Sequence, residues 1–265
     1  MRKLLLFTIL MLPFTTFAES KISVRNITGE YILNEDISLR MAEQRAIEKA
    51  KSLALKEAGI FETVQENKML QKQELSNNIT DYFSSIQINE LHGGIGNISI
   101  VKKERVTDRY GNIIVRVTID AEVIKYDTKK DPEFTFTIVG LSSTYFDGDK
   151  ISFNFIPNAK GYLKIFLIDS NSVSLIYPSE LEKNIHFQKG KKYYFPTNSS
   201  IEYALCKENP NKKVESNTLC FIFTKQDILF KEEEELDNLQ LWISRIEPDK
   251  RNVEFHTMLI GKKNK

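Results

Sequence analysis

Hydrophobic and polar positions change period along this chain of 265 residues, and the changes mark its organisation. Ala42, Ala46, Ala50, Ala54 and Ala58 recur every four residues, with Leu39 and Leu53 widening the stripe. Arg45, Lys49, Lys51, Lys56 and Glu57 occupy the other side. That spacing predicts an amphipathic helix over 36–58 with one small-residue face. Asp36 or Ser38 can cap its start, and Gly59 suits its end. A short strand over 60–64 and a second helix over 66–84 follow, the latter from Met69, Leu70, Leu75, Ile79 and Phe83. The period then becomes two. Ile98, Ile100 and Val101–Val106 lead to a turn at Arg109–Asn112, and Ile113, Val115, Val117 and Ile119 alternate with Ile114, Arg116, Thr118 and Asp120. This is a β-hairpin. The first unit reads as α+β, a long alanine-rich helix on an antiparallel sheet.

The charged, proline-containing run TKKDPEF (128–134) separates this unit from a series of strands. Phe134–Val139 is a strand and 145–150 a turn. Ile151, Phe153 and Phe155 share one face of the next strand, and Leu163, Ile165 and Leu167 share another. Asp169–Ser172 turns the chain, and Val173, Leu175 and Tyr177 return it. Further strands are expected at 192–195, 201–206 and 219–224. Short strands with regular turn signals predict an all-β sandwich. The acids Glu232–Glu235 open a helix to Ile246, where negative charge complements the helix dipole. Leu236, Leu239, Ile243 and Ile246 form its apolar face, Trp242 anchors it and Pro248 ends it. Val253–Ile260 alternates as a closing strand. The expected domains are therefore residues 19–128 and 129–265, behind a leader over 1–18.

Two stretches resemble known families. AEQRAIEKAKSLALKEAGIF, then GNISIVKKERV and GNIIVRVTIDAEV, resembles the module at the N-terminus of flagellar assembly protein T and in LPP-type surface lipoproteins. That resemblance implies an alanine-rich helix on a small sheet in an envelope protein, and it carries no catalytic signature. YFDGDKISFNF, KGYLKIFLIDSNSVSLIYPSE and IHFQKGKKYYFPTN resemble the bacterial domain of unknown function 4384. The matching positions are Tyr145, Gly148, Asp149, Gly161, Tyr162, Ile176, Tyr177, Pro178, Gly190 and Pro196. The hairpin glycine usual in that family is replaced by Asn171-Ser172. The resemblance implies a recognition or scaffolding module in exported proteins, and turn geometry and packing as the role of the motif residues.

The chain's ends add a destination. Arg2 and Lys3 precede an apolar run from Leu4 to Leu12, broken by Pro13, and Thr16 and Ala18 supply small residues before a cleavage site. This is the pattern of a secretory signal peptide, with an uncleaved anchor as the alternative; the run is shorter than the roughly 20 residues a span needs. Removing residues 1–18 takes the charge from 37 basic against 36 acidic (+1) to 35 against 36 (−1). A near-neutral surface gives no electrostatic footprint for nucleic acid. Two cysteines, Cys206 and Cys220, are expected to pair in an oxidising space, stapling neighbouring strands across a long turn. Closing about 15 residues would contribute roughly 3 kcal/mol. A redox pair would want a Cys-X-X-Cys loop.

Candidate chemistry is sparse. His92-Gly93-Gly94-Ile95-Gly96 has no strand-to-helix context and no following Lys-Ser/Thr, so it is read as a connection and not a phosphate loop. Asp81, Glu90 and His92 have no spacing that requires a metal, and no metal or cofactor is expected. His92, His186 and His256 are far apart, and no nucleophile elbow or zinc pattern is present. No catalytic residue is assigned. The expectation is an exported, non-catalytic binding or assembly protein of the bacterial envelope, periplasmic, with an envelope protein as partner. The alternatives are a secreted factor or toxin, and a hydrolase with an unrecognised site.

Overall fold

The computed structural model describes residues 20–33, 38–60, 93–169, 172–207 and 212–262. The leader over 1–18, Asp36, the strand beyond Ile60, the helix over 66–84, and Asp81, Glu90 and His92 lie outside the described residues. The described chain is mostly β-structure. Among the described residues no helix is long and apolar enough to cross a membrane.

The first half contains β1 (Ser20–Leu33), α1 (Leu39–Glu57), β2 (Gly93–Thr107) and β3 (Ile113–Lys125). The three strands form an antiparallel sheet in the order β1-β3-β2. Strand β1 escapes the alternation rule because its register shifts between Val24 and Ile27. Ile22 and Val24 share the buried side with Ile27, Tyr31 and Leu33, so the apolar phase slips by one residue at the bulge. The β2–β3 turn is tied by Asp108, whose Oδ1 accepts the Tyr110 and Asn112 amides.

Helix α1 starts at Ser38, whose hydroxyl accepts the Met41 amide. It ends with Ile60 N–H on Leu55 O and Gly59 N–H on Lys56 O, a paired closure that satisfies two terminal carbonyls. Ala42, Ala46, Ala50 and Ala54 are fully buried and share a core with Val24, Val115, Val117 and Ile119. The approach is closest at Gly29, where a Cβ would lie 2.0 Å from Ala46 O and 2.5 Å from Ala50 N. Only a hydrogen side chain on β1 and methyls on α1 allow backbone to meet backbone there.

The second half contains β4 (Phe136–Val139), β5 (Thr144–Phe146), β6 (Lys150–Ile151), β7 (Phe153–Pro157), β8 (Tyr162–Ile168), β9 (Val173–Tyr177), β10 (Tyr193–Phe195), β11 (Tyr203–Ala204), β12 (Val214–Thr224), α2 (Leu236–Ser244), a 3-10 turn (Pro248–Lys250) and β13 (Arg251–Gly261). One sheet runs β5-β13-β12-β8-β9, a second runs β10-β7-β4, and β6 pairs with β11. The facing surfaces are filled mainly by phenylalanine. Phe134 stacks on Phe223 at 4.7 Å between centroids and Phe153 on Phe195 at 4.7 Å, while Phe153 meets Phe221 edge-on at 5.4 Å. The other face of the five-stranded sheet is covered by α2, with Phe166, Cys220, Ile222, Trp242, Ile243 and Val253 in that layer.

The disulfide expectation is corrected. No bond joins Cys206 and Cys220. Cys220 sits within the central strand β12, buried among the residues under α2, whereas Cys206 follows β11 and is exposed. Strand β12 begins at Val214, so Cys220 lies well inside the sheet and not at the turn that the spacing suggested.

The halves meet at the C-terminal end of α2. Ser244 Oγ donates to Ile95 O at 3.1 Å, and Tyr126 Oη donates to Ser244 O at 2.8 Å. Arg251, 3% exposed, donates to Ile243 O, to Ile246 O at 2.7 Å and to Tyr126 Oη at 3.3 Å. A Cβ on Gly94 would lie 2.8 Å from Ser244 Cβ.

The Gly29 contact gives a direct test. Gly29→Ala is expected to destabilise the protein by about 1–3 kcal/mol, the usual range for overpacking. Gly261→Ala, where the nearest atom would be 3.7 Å away, is expected to stay within about 0.5 kcal/mol. Urea unfolding midpoints of the two variants check this.

Candidate functional site

The motif positions do not converge on one pocket; they frame the irregular chain between β9 and β12. Tyr145 is buried, and its hydroxyl accepts the Ser142 amide at 2.9 Å. Asp149 Oδ2 accepts the Phe146 amide at 2.8 Å, closing the turn that Gly148 enters at φ +86°. Gly190 holds the following turn at φ +71°. Gly161 pairs with Phe187 through two backbone bonds and lies against β12, where a Cβ would be 2.6 Å from Thr224 O. Tyr162 stacks on His186 with centroids 4.8 Å apart. Tyr177 is fully buried in the phenylalanine core, so it does not stand beside Tyr162 at the surface. Pro178 and Pro196 follow Tyr177 and Phe195 through cis peptide bonds.

What joins Tyr177-Pro178 to Phe195-Pro196 is Glu182, a residue outside the motif pattern and 1% exposed. Its Oε1 accepts the Thr197 amide at 2.5 Å, the Thr197 hydroxyl at 2.7 Å and the Asn198 amide at 3.2 Å. Its Oε2 accepts the Tyr203 hydroxyl at 2.7 Å. A buried carboxylate is tolerated only when its oxygens are saturated with donors, and these four bonds do that. Burial first, and then the bond to Glu182, push the Tyr203 phenol up to about 12. Burial likewise raises the Tyr177 phenol. The arrangement is a pin: it fastens strands of three and two residues, β10 and β11, to the loop after β9.

A second polar cluster lies on the opposite side of the sheet. Lys164 on β8 has a side chain 3% exposed and meets Asp227 at 3.2 Å; the Asp227 side chain is 39% exposed. Asn184 Nδ2 also donates to Asp227 Oδ1, at 2.7 Å. Burial pulls the Lys164 ammonium below its ordinary value, and Asp227 opposes that. The pair clamps the segment after β12 onto the sheet, with Trp242 Nε1 donating to Leu229 O at 3.1 Å.

The third feature is a cleft of about 300 Å³ between β4 and β13. Phe136, Ile138, Leu141 and Phe221 supply apolar walls, and Glu254 and His256 stand at its polar side. His256 Nε2 lies 2.9 Å from Ser142 O. Burial raises the Glu254 carboxyl above its ordinary value, and Lys130 partly opposes this. Among the described residues no group of three or more His, Cys, Asp or Glu is arranged to hold a metal ion.

Glu182, Tyr203, Lys164, Asp227 and Glu254 were not singled out in the sequence. Glu254 carries a weak signal, since alternation places its carboxylate on one strand face with Asn252, His256, Met258 and Ile260. Glu182 gave none, because SELEKN reads as an ordinary exposed loop.

Comparison with known proteins adds one match. Residues 144–214 match the family described as Domain of unknown function (DUF4384). That is the segment in which all of the motif positions lie, and it contains Glu182, Tyr203 and Lys164. No curated protein matches the chain. Among solved structures, a chain in the complex between Zinc 2-glycoprotein and Prolactin inducible protein from human seminal plasma is similar at 9% identity and a TM-score of 0.26. The similarity covers 52% of this chain and 99% of that chain.

Three outcomes follow. Glu182→Gln keeps the volume but sets an amide against N–H and O–H donors, and is expected to cost about 2–3 kcal/mol in urea unfolding. The Tyr203 phenol is raised, so the folded state keeps a proton that the unfolded state releases. Stability therefore falls as pH rises from 10 toward about 12, and Tyr203→Phe is expected to flatten that fall. Asp227→Ala leaves the Lys164 ammonium buried without its counter-ion and is expected to cost about 3 kcal/mol, while Lys164→Met is close to neutral.

Proposed function

We propose that the chain is an exported, non-catalytic binding or assembly protein of the bacterial cell envelope, and that the family-matched segment is its recognition module. The observation that carries this reading is how the module spends its motif residues. They serve turns, close backbone approach and aromatic packing, while the loop after β9 presents Leu181 (73% exposed) and the short strand β10 presents Tyr194 (67% exposed) to solvent. Lys192 Nζ lies 5.3 Å from the Tyr194 ring, so one exposed aromatic already has a cation on it. Exposed aromatic and aliphatic side chains on short segments held by a buried pin suit recognition, because little ordering entropy remains to be lost on binding.

Export rests on the leader-like residues 1–18 and on the two family resemblances, since no disulfide supports it. The resemblance of 19–128 to the flagellar assembly protein T and LPP-type module belongs to the same proposal. On this reading the first half is an envelope-associated support for the recognition module, and a near-neutral mature surface favours a protein partner over nucleic acid.

The expected outcome of cell fractionation is a periplasmic protein whose N-terminus, read by mass spectrometry, lies near Glu19. Intact protein in the cytoplasm contradicts the proposal, and protein in the medium without lysis favours a secreted factor instead. In the same cells, Leu181→Asp with Tyr194→Ala is expected to abolish a cross-linked envelope complex while leaving thermal stability unchanged.

A further inference from the structure

The inner face of β13 is polar over its first half. Alternation sends Asn252, Glu254, His256, Met258 and Ile260 to the same side, and Met258 and Ile260 join the phenylalanine core. Their neighbours on β12 show what the first three positions would need to be. Asn252 pairs with Phe223, Glu254 with Phe221 and His256 with Leu219, all three core residues of β12. Apolar residues on β13 would close the sandwich there. An amide, a carboxylate and an imidazole stand in their place, and the cleft opens beside them.

Those groups are short of donors. Asn252 is 2% exposed and its Oδ1 is buried with no hydrogen-bond partner among the described residues. Lys130 acts on Glu254 from beyond contact distance, Glu254 makes no contact ion pair or side-chain hydrogen bond among the described residues, and the His256 ring is already engaged with Ser142 O. The half-buried Glu254 carboxylate lines the cleft opposite its apolar wall, and the buried Asn252 amide lies two residues away on the same strand face. The cleft also lies between two strand edges. Among the described residues, β4 has β7 on one side and no strand on the other, and β13 carries β5 only along Leu259–Gly261. Open strand edges accept an extended chain, with side-chain pockets supplying specificity.

We infer that this cleft binds an extended peptide segment through one lysine or arginine side chain, whose cation meets Glu254 and whose apolar stem lies on Phe136, Ile138 and Leu141. Charge complementarity selects the cation, the apolar walls select a long aliphatic stem, and the strand edges select a peptide over a free amine. The inference does not depend on export, and it stands or falls separately from the recognition surface at Leu181 and Tyr194.

Calorimetric titration of the purified full chain tests it with three probes. These are an N-acetylated, C-amidated pentapeptide of sequence Thr-Val-Lys-Val-Thr, the same peptide with norleucine for lysine, and hexylamine. The lysine peptide is expected to bind saturably with Kd below about 1 mM. Glu254→Gln and the norleucine peptide are each expected to weaken binding at least about tenfold, the scale of losing one charge partner. Glu254→Gln removes a charge without changing shape, and an unchanged melting curve will show that it folds. Absence of saturable binding, or equal affinity for the lysine and norleucine peptides or for Glu254→Gln, overturns the inference. Hexylamine binding as tightly as the peptide overturns the assignment of a peptide.

Discussion

The family-matched part of this protein depends on one buried carboxylate. Between β9 and β12 the chain has almost no ladder of its own: β10 has three residues and β11 two. Backbone amides in such a stretch must find partners elsewhere or remain in water. Glu182 supplies those partners for Thr197 and Asn198 and holds the Tyr203 hydroxyl with its other oxygen. The aromatic core then closes over the pin, with Phe187 and Phe195 each edge-to-face with Tyr177 at 6.2 Å. Sequence motif, loop shape and surface presentation therefore meet at a residue that the motif does not contain.

The same economy of polar groups separates framework from opportunity elsewhere. Lys164 is buried but answered by Asp227, and Arg251 is buried but answered by carbonyls at the end of α2 and by Tyr126. Each holds a non-strand segment against a sheet. Farther along β13, the Asn252 amide oxygen has no hydrogen-bond partner among the described residues, and Glu254 lines the open cleft without a contact ion pair. The contrast is the physical basis for reading the first two as clamps and the third as a site.

Much of the strand pattern was legible from alternation. Ile151, Phe153 and Phe155 do share a core face, as do Leu163 and Ile165, and the helix that Pro248 follows ends at Ser244. The buried alanines of α1 were visible as a four-residue stripe. Other elements were hidden for identifiable reasons. The bulge at Val24–Ile27 moves the apolar phase of β1 by one residue, so neither half of the strand is long enough to declare itself. Strand β5 runs parallel to β13 and has three residues, a pairing that no local signal encodes. The cysteine spacing misled because it measures chain length and not depth. Glu182 and Lys164 were illegible because burial of a charge is decided by what folds over it, not by its neighbours in sequence.

Amide hydrogen exchange at Thr197 and Asn198 tests the central claim most directly. If Glu182 holds the segment between β9 and β12, both amides exchange slowly in the native protein, and both become fast in Glu182→Gln while amides of β8 and β12 stay protected. Fast exchange at Thr197 and Asn198 in the native protein, or equal protection in Glu182→Gln, would contradict the account.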